Sequence, residues 1–161
     1  MSNYFILFDL EVKFAIDSNF LERKYLELQT KFHPDKSNHN NAVKAMEINE
    51  AFRILSDDFS RACYLLQLNN IDLVNDDKAI NPDKSMLLEI LELREHIEII
   101  ENKNIIDNLL RHLKETIEDL IADFARAYGD NQINLSANFL IKAKYLKKAV
   151  EDLKIKKQKL L

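Results

Sequence analysis

The chain has 161 residues, 47% of them apolar and 31% charged, and a formal net charge of -4. That is enough apolar material for one ordinary domain or two small ones, and it excludes a disordered chain. One glycine and two prolines leave too little for hairpins, barrels or glycine-rich phosphate loops, so helices joined by short connections are expected.

The lone Cys63 excludes an internal disulfide and any cysteine-based zinc site. Its setting, RACYLLQL, reads as a buried thiol in a reducing compartment. No signal-peptide pattern precedes a cleavage site, and the longest apolar run, YFILF, is far too short to cross a bilayer. The expectation is a soluble, cytoplasmic protein with no membrane partner.

In chain order, NYFILFDLE is short and apolar, and by period alone it is either a strand or a helical turn. Asp17 and Ser18 are suitable N-caps for NFLERKYLELQTKF, whose Leu21, Tyr25, Leu28 and Phe32 recur on one helix face. Lys24 and Lys31 lie seven apart on another face, beside Arg23. Pro34 disfavours helical geometry at His33, so the helix is predicted to stop there. Ala45, Ile48, Phe52 and Leu55 repeat the apolar stripe in a second helix, predicting an antiparallel hairpin with YFILF across its open side. RACYLLQL continues the helical pattern after Ser60, and NNIDLVNDDKAINPD reads as a linker over about residues 69–83.

Three longer helical patterns follow, from Asp83 to Glu101, Asn104 to Tyr128 and Leu135 to Leu161. Gly129 is the expected C-cap of the second, and Ser136 is expected to help start the third. Three antiparallel helices sharing one core predict a bundle. In its first helix Met86, Ile90, Leu93, Ile97 and Ile100 make a complete core stripe, while Leu87, Leu88 and Leu91 fall outside it beside Glu92, Arg94 and Glu95. Leucines on a second face suggest a docking surface, or else packing on the first domain. Residues 142–161 carry eight lysines and two acids, whereas 83–130 carry twelve acids and six bases. The lysines sit among heptad-spaced apolar residues next to an acidic helix, so complementary solvated faces explain them better than nucleic acid.

Between the first two amphipathic helices lies KFHPDKSN. His33 and Asp35 could make a catalytic pair, a metal site with His39, or an ordinary turn. No nucleophile or phosphate-cradling motif accompanies them, and no further ligand is anchored nearby for a metal. A bare turn explains Pro34 and Asp35 but leaves the exposed histidine and the basic helix face without a use.

The stretch from Tyr4 to about Leu66 resembles the J domain, the module by which co-chaperones act on DnaK-type ATPases. The matching pieces are YFILFDL, YLELQTKFHPDK and INEAFRIL. Two departures are a shortened segment between HPDK and INEAF, and Asp9 where a glycine is often found. RACYLLQLNNIDL followed by MLLEILELREHIE resembles the second half of HscB, the Jac-type co-chaperones of iron–sulfur cluster assembly. The fold class implied is all-α, with a J domain at 1–75 and a three-helix bundle at 76–161 that binds the iron–sulfur scaffold protein.

The resemblance implies a monomeric co-chaperone, not an enzyme, with no cofactor and no metal. It implies two protein partners: a DnaK-type chaperone ATPase (HscA-like) and an iron–sulfur cluster scaffold protein (IscU-like). His33, Pro34 and Asp35, with Arg23, Lys24 and Lys31, are expected to meet the chaperone and promote hydrolysis. Leu87, Leu88, Leu91, Glu92, Glu95 and Tyr145 are expected to meet the scaffold. The family pattern has an acid one turn further on, where this chain has Ile99. The alternative is a J-domain co-chaperone with a different client protein.

Overall fold

The computed structural model describes residues 3–33, 35, 39–75 and 82–160, the side chain of His39 excepted. Among them are seven α-helices and no strand: α1 (Tyr4–Leu7), α2 (Ser18–Lys31), α3 (His39–Ser56), α4 (Asp58–Leu68), α5 (Lys84–Ile99), α6 (Lys103–Gly129) and α7 (Ile133–Lys159). They divide into two compact units, Met1–Leu68 and Asn69–Leu161.

In the first unit YFIL forms a single helical turn, capped by Asn3, whose side chain accepts from the Phe5 N–H. Phe5 and Phe8 are fully buried, and Tyr4 stacks on Tyr64 of α4 with ring centroids 4.7 Å apart. The chain leaves this turn through Asp9, at φ 53°. Asp17 caps α2 as expected, accepting from the Asn19 and Phe20 amides at 2.9 and 3.1 Å; Ser18 is the first helical residue.

The α2 stripe packs against α3. Leu21 and Leu28 are buried on one side and Ile48, Ala51 and Leu55 on the other. Tyr25 stacks on Phe52 at 4.0 Å, and its hydroxyl donates to Asn49 Oδ1 at 2.7 Å. These pairings make the predicted antiparallel hairpin. A buried charge holds the other side together. The guanidinium of Arg61 donates to the carbonyls of Phe14 and Leu55 at 2.8 and 2.7 Å and to Asp58 at 2.8 Å, and it lies over the Phe14 ring. Such a group is tolerated inside only when its donors are this well used.

The second unit is built around α7, against which both α5 and α6 pack. Contacts fix the directions. Asp107, near the start of α6, meets Lys157 near the end of α7 at 2.5 Å, so these helices are antiparallel. Glu89 of α5 meets Lys142, and the carbonyls of Ile97 and Glu98 accept from Lys156. Thus α5 runs parallel to α7, the arrangement left by two reversals of chain direction. Ile90, Ile97 and Ile100 of the α5 stripe are buried, and Met86 and Leu93 are half-buried.

Three local expectations are corrected. Gly129 is the last residue of α6 rather than its cap; the turn is made by Asp130 and by Asn131, which takes φ 60°. Ser136 does not cap α7. It is fully buried inside the helix, and its hydroxyl donates back to the Ile133 carbonyl at 2.6 Å, the usual refuge of a serine within a helix. Residues 69–75, read as linker, are part of the second unit. Leu73 is buried, its carbonyl accepts from Lys144 at 2.7 Å, and Asn69 donates to the Tyr128 hydroxyl at 3.0 Å.

Candidate functional site

α2 delivers the HPD loop. The last amide bond of the helix runs from the Phe32 N–H to the Leu28 carbonyl at 3.0 Å, and His33 and Asp35 follow, both solvent-exposed. His33 Nδ1 accepts the Asp35 backbone N–H at 3.2 Å and lies 3.3 Å from Asp35 Oδ2. With Nδ1 accepting that bond, the neutral ring carries its proton on Nε2. Pro34 lies outside the described residues. His33 also lines a hollow between α2 and α3 with Leu26, Gln29, Thr30, Ala45 and Asn49.

The three basic residues of α2 differ in setting. Arg23 and Lys31 are exposed, and the Lys31 ammonium sits 5.4 Å from the Phe32 ring centroid. Lys24 is held at 2.7 Å by Asp9 and at 3.6 Å by Glu27. The hydrogen bond to Asp9 raises the Lys24 pKa above the ordinary lysine value. The carboxylate at the left-handed position after α1 thus competes with any partner for this cation, a role the sequence showed only as an unexpected residue at 9.

On α5 the residues outside the core stripe face solvent. Leu87, Leu88 and Leu91 are 41%, 60% and 53% exposed, and Glu92 and Glu95 are exposed beside them. Tyr145 is half-buried on α7, one turn beyond Lys142, whose ammonium reaches Glu89 of α5 at 2.9 Å. That ion pair, absent from the sequence reading, tethers the helix that carries the leucines. The described residues contain no cluster of three or more His, Cys, Asp or Glu able to hold a metal ion, and no helix long and apolar enough to cross a membrane.

Comparison with known proteins accounts for both halves of the chain in order. Residues 8–64 match the DnaJ domain, and residues 82–154 match the HSCB C-terminal oligomerisation domain. The two halves of the chain thus match, in order, the two domains of HscB-type J-domain co-chaperones.

Among curated members of the HscB family, it is 41% identical over 85 residues to the co-chaperone protein HscB homolog of Psychromonas ingrahamii, covering 48% of this chain and 50% of that protein. It is 40% identical over 79 residues to the homolog of Neisseria meningitidis serogroup C, covering 45% and 48%. The chain thus spans about half the length of the curated relatives it matches. Among solved HscB structures, chaperone HscB from Vibrio cholerae superposes with a TM-score of 0.81 at 26% identity, covering 99% of this chain and all of that one. Human co-chaperone protein HscB shares the fold, with a TM-score of 0.86 at 24% identity over 98% and 83% of the two chains.

Proposed function

We propose that this chain is an iron–sulfur co-chaperone, not itself an enzyme, which acts in the cytoplasm as an adaptor between two proteins. The first unit docks its HPD loop on the ATPase of a DnaK-type chaperone and stimulates hydrolysis, which traps the client. The second unit presents the client, an iron–sulfur cluster scaffold protein, on the outer face of α5. The observation that carries the reading is the juxtaposition of an exposed His33–Asp35 pair with a tight helical hairpin, in a chain whose second unit turns three leucines to solvent.

The chemistry of docking is electrostatic. His33 and Asp35 share one contact, so the loop offers a carboxylate and a ring N–H together in a fixed arrangement. Arg23 and Lys31 steer towards an acidic surface, with Lys24 joining them once it leaves Asp9. On α5 the leucines supply apolar contact, while Glu92 and Glu95 select a scaffold surface with basic residues at its edge.

The test is His33→Gln. Because His33 is 55% exposed, the substitution should leave circular dichroism and the melting temperature unchanged, as surface changes away from the core usually do. Stimulation of the chaperone in a single-turnover ATPase assay should be abolished. A mutant that stimulates as well as wild type would remove the chaperone-docking reading.

A further inference from the structure

The outer face of α5 does not end with the leucines. Leu88, Glu92, Glu95 and Ile99 recur at spacings of four, three and four, so they lie along one line of the helix. That line is opposite the buried stripe of Ile90, Ile97 and Ile100. Ile99, the last residue of α5, is 76% exposed, more than any other large hydrophobic side chain among the described residues. A single exposed isoleucine carries no message. This one is aligned with Leu88 and sits about 12 Å beyond Leu91 along the helix axis, with the exposed carboxylates of Glu95 and Glu98 around it. Lys156 of α7 fastens this end of the helix by donating to the carbonyls of Ile97 and Glu98, so Ile99 is presented from a fixed turn and not a frayed one.

We infer that Ile99 is a second apolar anchor of the α5 docking surface, making this surface read an apolar–basic–apolar pattern on the iron–sulfur scaffold protein rather than an apolar patch followed only by basic residues. The inference rests on the scaffold-binding reading above. Leu87, Leu88 and Leu91 fill one apolar site, Glu95 pairs with a cation in the middle, and Ile99 enters a second aliphatic site. The surface is continuous along one helix, and its acids leave a cation as the fitting partner between the two apolar contacts. An isoleucine offers such a cation nothing, so the scaffold surface facing Ile99 is aliphatic, and this residue discriminates among scaffolds.

Calorimetric titration of the full chain with the purified scaffold protein from the same genome, at low and high salt, tests this. Ile99→Ala should weaken binding roughly 5- to 30-fold, as loss of a buried aliphatic side chain does, and by the same factor at both salt concentrations. The loss from Glu95→Ala should shrink at high salt. Ile99→Glu should bind more weakly than Ile99→Ala. Thermal melts should match wild type for both Ile99 variants, since the side chain is solvated. If Ile99→Ala binds like wild type, or Ile99→Glu binds more tightly, the second anchor is overturned. Leu91→Ala then separates the readings: if it weakens binding, scaffold docking on α5 stands without Ile99, and if it too binds like wild type, both fall.

Discussion

Asp9 occupies a left-handed backbone position, φ 53°, that glycine takes without cost and aspartate tolerates better than most residues. It compensates by accepting a hydrogen bond from Lys24 at 2.7 Å. Two variants separate strain from ion pair. Asp9→Gly loses the carboxylate and relieves the backbone, so its stability to urea should equal or exceed wild type by up to about 1 kcal/mol. Asp9→Ala loses the carboxylate and keeps the left-handed backbone, and should be less stable than Asp9→Gly. The Lys24 pKa is raised from 10.5. Whatever the pair contributes is therefore fully present below that value and disappears as pH climbs through the raised one. The stability difference between wild type and Asp9→Asn should accordingly stay constant from about pH 6 to about pH 9 and narrow only in stronger alkali.

At the scale of the helix, α5 has two apolar faces with different duties. One turns Ile90, Ile97 and Ile100 to the core, and the other turns Leu88 and Leu91 to water. Truncating Leu88 or Leu91 to alanine should change stability by no more than about 0.5 kcal/mol, since the side chains are already solvated. Scaffold binding should weaken by about 1 to 3 kcal/mol for the better placed of the two, as for a buried interface anchor. Ile97→Ala is the control. It is 6% exposed and should cost about 2 to 5 kcal/mol of folding stability. Urea melts beside calorimetry distinguish these outcomes, and a Leu91→Ala protein that melts early would return that residue to the core.

For the molecule as a whole, the two compact units predict that damage stays local. Ile48 is fully buried in the α2–α3 hairpin, and Leu140 is fully buried in α7. Hydrogen exchange of Ile48→Ala should show lost protection across the first unit, and that of Leu140→Ala across the second, because cooperative units open separately. Leu73→Ala is the sharper test. It lies in a stretch of turn-forming residues, yet it is 2% exposed and its carbonyl holds Lys144. Exchange should rise in α7 around Lys144 and not in α3. The reverse result would return residues 69–75 to the first unit.

Much of this was legible from residue order alone. Helix stripes such as Leu21, Tyr25 and Leu28, or Ile90, Leu93 and Ile97, follow from a 3.6-residue period that needs no partner to be read. Asp17 caps α2 through bonds to amides two and three residues away, and such local bonds are written in local sequence. The HPD motif, and the leucines left over from the α5 stripe, were visible for the same reason.

Other features belong to tertiary structure. Whether Lys24 is available to a partner depends on Asp9, 15 positions earlier, and whether α5 is tethered depends on Lys142 and Lys156 in another helix. The burial of Ser136, the docking of Leu73 and the enclosure of Arg61 by Phe14, Leu55 and Asp58 are likewise settled by packing. Periodicity fixes which side chains share a face, but only contact between distant segments decides what each face meets.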